Sequence, residues 1–412
     1  MKQWSESRLK NLLAIPLSYG LNVSSEDDRE DWPRYIRITD FDDFDHLNEG
    51  TFKSLPISVA EPALLKDGDL LFARCGATAG KTFLYSALPK GACYAGYLIR
   101  ARFKRNLVNP RFVSYFTKGV DYCNWKNRYC IQTTIQNISA DKYNQLPISI
   151  PSLSEQQRIV DYLDEKLAKI DERIEVLEKQ QDAYARLKKS VIHQAVTRGL
   201  DPDVRLKDSG IEWIGMIPEH WEVKRVKDVC NVVCGATPKD NTSYWDGNII
   251  WISPADMPEF GELTEGARTI TEQGYQSCGT SLVPAGSIVM STRAPIGKTN
   301  IAVNELCTNQ GCKCLTSKKL KMKFMLYCIA SKKEQFQALG RGTTFIELST
   351  KDLSLFLFAV PPIPEQQAIA NYLDEKCAKI DAAIENIGKQ IDASKRLKRA
   401  LINEVITGQR AV

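Results

Sequence analysis

The sequence predicts an α+β protein in which two mixed α/β modules are separated by two long helices packed as an antiparallel coiled coil, with an internal pseudo-twofold repeat. Three observations predict this fold: a duplicated segment, a heptad pattern within each copy of it, and strand-like pieces upstream of each copy. The repeat period of about 210 residues indicates duplicated domains, because the units of a solenoid run about 20 to 50 residues.

The duplication is plain at the end of each copy. Residues 155–197 align without a gap on residues 365–407, and about 24 of the 43 positions are identical. Upstream, Gly80-Lys81-Thr82 matches Gly297-Lys298-Thr299 at an offset of 217, after which the offset becomes 210. Between these anchors the copies differ almost everywhere. Each copy is therefore a variable module followed by a nearly constant helix.

The constant segments carry the pattern of a coiled coil. Apolar residues recur at alternating spacings of three and four, which is a heptad seam. A run of about 44 residues at about 1.5 Å each is a rod of roughly 65 Å, too long to bury its stripe against one small module. We therefore expect the two stripes to pack together; two separate helices, each on its own module, are the alternative. The predicted seam comprises Leu163, Leu167, Ile170, Ile174, Leu177, Tyr184, Leu373, Ile380, Ile384, Ile387, Ile391 and Leu397.

The remaining segments complete the predicted domain plan. Residues 200–222 are rich in Asp, Gly and Pro and have no clear period, which is typical of a linker. Short runs rich in β-branched and aromatic residues predict strands within the modules, among them 69–73 and 248–252. The predicted domains are a first module at 1–151, a first long helix at 152–199, a linker at 200–222, a second module at 223–361 and a second long helix at 362–409.

The composition is that of an ordinary globular protein. The chain has 412 residues, of which 43% are hydrophobic and 25% are charged. It contains no run of 18 apolar residues, and its first residues lack the apolar core of a signal peptide, so we expect a cytoplasmic location and no membrane contact. The twelve cysteines are scattered and lack the paired spacing of a zinc site, which predicts thiols and no metal.

Charge is distributed unevenly, although the net charge is only +5. Residues 100–128 carry eight Lys or Arg against one Asp, and residues 313–341 carry eight against one Glu, at equivalent places in the two copies. Aromatic residues are interleaved with both basic stretches. A basic stretch is usually a solvated face, but two at equivalent places favour contact with nucleic acid.

Catalytic motifs are not convincing. The loop from Gly76 to Thr82 is one residue short of a phosphate-binding P-loop, because Cys75 stands where the first glycine is required. The segment Asn109-Pro110-Arg111-Phe112 breaks the tetrapeptide of an amino-methyltransferase at its third position. The chain also lacks a nuclease carboxylate cluster and a repeated nucleophile and base arrangement. The sequence therefore predicts a protein that is not an enzyme.

Three segments together resemble a known family. Residues 67–81, the Pro151-to-Gln157 entry to the helix, and residues 207–225 are similar to the DNA-specificity subunit of type I restriction-modification systems. The entry P-x-x-x-E-Q-Q followed by Tyr-Leu-Asp-Glu-Lys occurs twice and is the most specific element. The resemblance implies two target-recognition domains, each reading one half of a split sequence in double-stranded DNA.

The resemblance also implies partners. Two methylation subunits, with S-adenosylmethionine, would dock around the helices, and two restriction and motor subunits would join for cleavage. ATP and Mg would belong to those partner subunits, and this chain would bind no cofactor of its own. Two other functions stay open from the residues: a stand-alone DNA-modifying enzyme, and a coiled-coil scaffold without DNA contact.

Individual DNA contacts are predicted from Gly-rich turns, from the first basic stretch and from a second loop shared by the copies. The alternative is that these loops are fold-determining turns. Residues shared by both modules are poor candidates for base readout, so base contacts are expected in the unlike stretches, such as 19–50 and 260–280. The candidate DNA-binding residues are Arg74, Lys81, Thr82, Arg102, Lys104, Arg105, Thr134, Gln136, Arg293, Lys298, Thr299 and Thr344.

Overall fold

The computed structural model of the chain describes residues 4–25, 27–130, 137–341 and 346–412. The chain divides into two compact units, unit 1 with residues 1–178 and 388–412, and unit 2 with residues 179–387. Each unit therefore contains one module together with parts of both long helices. As the sequence predicts, each module mixes helices with sheets.

Unit 1 contains the following elements. Its strands are β1 (Ser5–Arg8), β2 (Leu13–Tyr19), β3 (Arg34–Ile36), β4 (Leu70–Ala73), β5 (Thr82–Leu84), β6 (Ala92–Tyr94), β7 (Leu98–Phe103) and β8 (Pro147–Ile150). Its helices are α1 (Leu9–Leu12), α2 (Ile57–Ala60), α3 (Pro110–Phe116), α4 (Val120–Cys130), α5 (Ala140–Asn144) and the first part of α6 (Leu153–Arg198).

A four-stranded sheet with the order β2-β7-β4-β5 is the centre of unit 1, and all its neighbouring strands are antiparallel. Successive side chains of a strand point to opposite faces, so β4 supplies two cores. Leu70 and Phe72 face a core that also contains Leu163 of α6, whereas Leu71 and Ala73 face a second, smaller core. The sheet therefore lies between the helical side of unit 1 and a separate apolar layer.

Unit 2 repeats this plan with additional strands. Its strands are β9 (Leu206–Asp208), β10 (Met216–Pro218), β11 (Glu222–Arg225), β12 (Asn231–Cys234), β13 (Trp245–Ile252), β14 (Phe260–Leu263), β15 (Arg268–Ile270), β16 (Ile288–Ser291), β17 (Thr299–Ala302), β18 (Cys307–Thr308), β19 (Cys312–Thr316) and β20 (Leu357–Val360). Its helices are α7 (Val226–Val229), α8 (Glu272–Gln276), α9 (Met322–Ala330), α10 (Lys333–Leu339), α11 (Thr350–Leu355) and the first part of α12 (Ile363–Ile406). The main sheet has the order β12-β19-β16-β17-β14.

The two long helices predicted from the heptads are present, and they pack together as an antiparallel coiled coil. Within unit 2, Gln181 contacts the carbonyl of Ile384 and Lys188 contacts Asp381, so α12 runs back as α6 advances. Both helices are followed by a glycine in the left-handed region, Gly199 with φ +77° and Gly408 with φ +69°. Such a residue ends a helix without the steric cost of a side chain.

The seam differs from the prediction in the C-terminal third of each helix. Leu163, Leu167, Leu177, Leu373, Ile380, Ile387 and Ile391 are buried, and Ile170, Ile174 and Ile384 are half-buried. Tyr184 and Leu397 are exposed, and α12 buries Ser394 and Lys398 on that turn instead. An α-helix has 3.6 residues per turn, so its buried stripe drifts by one position where the 3.5-residue repeat is not enforced by apolar side chains.

The segment predicted as a linker is folded into unit 2. Residues 200–222 include strands β9 and β10, which pair antiparallel with Met216 opposite Asp208. Ile214, Ile217 and Trp221 are buried in the main core of that unit. Gly210, Gly215 and Pro218 interrupt the segment, so the spacing of these apolar residues does not predict a helix or a strand. Among the described residues, no helix combines the length and the apolar character that a membrane span requires.

Candidate functional site

A buried glutamine joins the module of unit 1 to α6. The side-chain oxygen of Gln156 accepts a hydrogen bond from the backbone N–H of Asn109 at 2.8 Å. Its amide nitrogen donates to the carbonyls of Leu107 at 3.1 Å and Pro151 at 3.0 Å. The amide therefore satisfies three backbone groups at the point where the loop before α3 meets the start of the helix.

Unit 2 has an equivalent junction with two of these three contacts. Gln366, also buried, accepts from the N–H of Lys321 at 2.9 Å and donates to the carbonyl of Pro361 at 2.8 Å. This contact explains why the E-Q-Q motif occurs at both helix entries: its middle residue connects the module to the helix. The repetition of the motif is visible in the sequence, whereas the backbone partners of the glutamine are visible only in the structure.

A second junction lies eight residues, about two turns, further along each helix. The hydroxyl of Tyr115 donates to Asp164 of α6, and Arg111 contacts the same carboxylate at 2.7 Å. In unit 2 the hydroxyl of Tyr327 donates to Asp374 of α12 at 2.8 Å, beside Lys323. Burial, assisted by the neighbouring carboxylate, raises the pKa of both tyrosines above the ordinary value. A raised pKa favours the protonated hydroxyl, which is the form that donates to the carboxylate.

The two Gly-Lys-Thr loops place their side chains against the protein itself. The ammonium of Lys81 donates to the carbonyl of Phe41, and that of Lys298 donates to the carbonyls of Pro254 at 3.0 Å and Met257 at 2.8 Å. Both threonines are buried. Thr82 shares a hydrogen bond of 2.8 Å with the hydroxyl of Thr117, and Thr299 donates to the carbonyl of Gly297 at 3.1 Å. The structure thus brings these four candidates into internal contacts.

Most of the first basic stretch is also engaged internally. Arg102 holds Asp69 with two hydrogen bonds of 2.7 and 2.6 Å, which raise its pKa. Arg105 donates to the carbonyl of Asp67 and lies 3.6 Å from its carboxylate, and Lys104 contacts the carbonyl of Asn11 at 3.1 Å. In unit 2, Arg293 pairs with Glu347 at 2.9 Å.

The aromatic residues and the second shared loop complete the predicted DNA-binding features. The aromatic side chains interleaved with the basic stretches, such as Phe112 and Phe324, are buried in the two main cores. Candidates Thr134, Gln136 and Thr344 lie outside the described residues. The described part of the chain contains no group of three or more His, Cys, Asp or Glu placed to hold a metal ion.

Within the described part of the chain, no side-chain hydrogen bond or ion pair engages the guanidinium of candidate Arg74. Its guanidinium lies 5.0 Å from the centre of the exposed ring of Tyr19. Its Nε atom is buried and has no hydrogen-bond partner among the described residues. The backbone N–H of Arg74 donates to the carbonyl of Tyr97 at 2.9 Å, which fixes the position of the residue at the end of β4.

Comparison with known proteins identifies the family. The sequence profile described as "Type I restriction modification DNA specificity domain" matches residues 1–180 and 218–392, once in each copy of the repeat. The chain belongs to the type I restriction-modification DNA specificity family. The resemblance found in the sequence is thereby confirmed, and the chain is a specificity subunit of this type. Such subunits work within complexes with other subunits and DNA.

Individual members of the specificity family are similar over different lengths. The MjaIX specificity subunit of Methanocaldococcus jannaschii is 37% identical over 183 residues, which are 43% of this chain and 41% of that relative. The MjaVIII specificity subunit of the same organism is 23% identical over 89% of this chain and 84% of its own length. A solved structure described as "Structural basis underlying complex assembly and conformational transition of the type I R-M system" covers 98% of both chains with a TM-score of 0.76 and 19% identity, so it supports the fold.

Proposed function

We propose that this chain is the DNA sequence-recognition subunit of a type I restriction-modification complex, without catalytic activity of its own. It reads an asymmetric bipartite target in double-stranded DNA, with one module for each half-site. The methylation subunits dock on the coiled coil and supply the chemistry, with S-adenosylmethionine on those subunits and ATP and Mg on the restriction and motor subunits.

The observation that carries the proposal is a repeated frame with unlike surfaces. The glutamines Gln156 and Gln366 both accept from a backbone N–H of the module and donate to a proline carbonyl, whereas the module sequences between the anchors differ almost everywhere. Two modules that share a backbone structure but differ in their side chains are suited to recognise different DNA sequences. This arrangement does not require either module to perform chemistry.

The helices are suited to set the spacing between the half-sites. Dimeric DNA-binding proteins read half-sites about one helical turn, roughly 34 Å, apart. A continuous helix of 46 residues, α6, begins in unit 1 and ends in unit 2. Its length of about 69 Å at about 1.5 Å per residue is ample for this purpose.

A matched deletion tests the spacing. Seven residues are removed between Asp171 and Lys188 of α6, and the equivalent seven between Asp381 and Lys398 of α12, so that the ion pairs at both ends of the deletion are retained. The helices shorten by about 10 Å, and we expect a preferred spacer about three base pairs shorter. An unchanged spacer in methylation assays on targets with altered gaps would contradict the proposal.

Methylome sequencing tests the function as a whole. A host that expresses the methylation subunit with this chain is compared with a host that expresses the methylation subunit alone. We expect one asymmetric bipartite motif that depends on this chain. Methylation by the purified chain alone would favour an enzyme. Methylation at the same sites without the chain would contradict its role in sequence recognition. A stable complex with no sequence-dependent methylation would favour a scaffold.

A further inference from the structure

Arg74 has a counterpart in unit 2 that the backbone identifies directly. The backbone N–H of Arg74 donates to the carbonyl of Tyr97, and the carbonyl of Arg74 accepts from the N–H of Ile138. In unit 2, Thr292 makes the same two bonds, to the carbonyl of Gly311 and from the N–H of Leu348. Arg74 of unit 1 therefore occupies the backbone position that the buried Thr292 occupies in unit 2.

The residues around Arg74 also differ between the two units. The strand registers place Tyr19 and Arg100 of unit 1 where unit 2 has Cys234 and Cys314. The exposed Tyr97 corresponds to a glycine, Gly311. Unit 1 thus presents arginine and tyrosine side chains at the end of β4, and unit 2 presents small residues on the same backbone.

The two arginines, Arg74 and Arg100, are suited to bind an acceptor outside the chain. Arg100 resembles Arg74, because its Nε is buried without a partner among the described residues and its guanidinium lies 5.8 Å from the ring of Tyr94. Other arginines in unit 1, such as Arg102, are matched by a carboxylate. A guanidinium positioned over an aromatic ring loses little further freedom when it binds, and its fork matches a pair of acceptors.

We propose that Arg74 reads a guanine in the half-site recognised by unit 1, with the Tyr19 ring holding the guanidinium in position. Guanine presents O6 and N7 as a pair of acceptors in the major groove, and arginine is their commonest partner. Phosphate contacts carry no sequence information, so residues that the two modules share suit the phosphates. Unit 2 has a threonine at the equivalent position, so the arginine is specific to unit 1 and suits a contact with a base. This inference rests on the proposed function.

The test uses the full chain in complex with its methylation subunits and a library of DNA targets. Arg74→Ala and Arg74→Gln are compared with the wild type and with Arg8→Ala, which removes one exposed arginine of the same unit. We expect Arg74→Ala to reduce the preference for G at one position of one half-site by about 10-fold or more. Arg74→Gln should shift that preference toward A, because glutamine pairs with adenine. The preference at the other half-site should not change, and the Arg8→Ala variant should recognise the same motif as the wild type.

The possible outcomes are distinct. If Arg74→Ala weakens binding to all targets equally and lowers the salt dependence by about one ion, the residue contacts phosphate and the inference is wrong. If both variants keep every base preference while the wild type reads a bipartite target, the inference fails and the proposed function stands. If the wild-type complex has no sequence preference, the proposed function fails. Thermal denaturation of each complex excludes loss of folding as the cause, and Arg74→Gln provides a second variant if Arg74→Ala unfolds.

Discussion

Lys398 of α12 donates to both carboxylate oxygens of Asp171 of α6, at 2.6 and 2.8 Å. The pair formed by Lys188 and Asp381, at 2.7 Å, has the same relationship, because each of its residues lies 210 positions from its counterpart. The duplication has therefore preserved a reciprocal ion pair on the seam, in which each helix supplies the lysine once and the aspartate once.

The two pairs should contribute unequally to stability. The side chain of Lys398 is 5% exposed, against 24% for Lys188, so its ammonium depends more on the carboxylate. We expect Asp171→Asn to lower the free energy of unfolding by about 2 kcal/mol and Asp381→Asn by less than about 1 kcal/mol. Urea denaturation measures both changes. Equal losses would contradict the role of burial.

The buried glutamine at the helix entry gives a second prediction. Gln156→Ala leaves one N–H and two carbonyl groups without their partner, so we expect a loss of about 2 to 4 kcal/mol in the free energy of unfolding. Gln157→Ala is the matched control, because the neighbouring side chain is exposed, and should cost less than about 0.5 kcal/mol. Denaturation curves that do not differ between the variants would refute this account of the motif.

The elements with strong local patterns could be predicted from the sequence. The heptads predict both long helices, and the apolar run 69–73 predicts β4, which spans Leu70–Ala73. Contacts between distant residues could not be predicted. Arg102 is a reasonable DNA-binding candidate in a basic stretch, but its partner Asp69 lies 33 positions away and is brought to it by the pairing of β4 with β7.

The counterpart of Arg74 in unit 2 could not be predicted from the sequence either. By sequence, the shared Gly-Lys-Thr places Cys75 opposite Thr292, whereas the backbone hydrogen bonds place Arg74 there. The loop of unit 1 is one residue longer, and the strands on either side share too few residues for the sequence to locate the extra one. The counterpart of Arg74 could therefore be found only from the hydrogen bonds.

The Gly-Lys-Thr loops allow a test of internal support against DNA contact. Lys298→Met removes a charged donor from two carbonyls, and we expect a loss of about 1 to 3 kcal/mol in the free energy of unfolding. Lys239→Met, at an exposed lysine of the same unit, is the control and should leave stability unchanged. If Lys298 contacts phosphate instead, the variant will melt like the wild type but bind DNA more weakly, with a lower salt dependence.

The exposed faces of the long helices give a prediction about partners. Leu187 of α6 and Leu397 of α12 are 47% and 55% exposed, and they lie at equivalent positions of the repeat. An exposed leucine at the same place on each helix suits two identical partners, as the proposed docking of methylation subunits requires. Burying one leucine side chain contributes about 1.5 to 3 kcal/mol, so its replacement by a charged residue should weaken docking by about 10-fold or more.

The measurement is a titration of the methylation subunit against Leu187→Glu, Leu397→Glu and the double variant. We expect each single variant to lose one of two binding events and the double variant to lose both. Ile57→Glu, which places the same charge on an exposed apolar residue of the first module, should bind like the wild type. If the double variant keeps full affinity while the chain remains folded, the methylation subunits dock elsewhere. If only one single variant has an effect, the two helices do not offer equivalent sites, and the repeat would not determine how the partners bind.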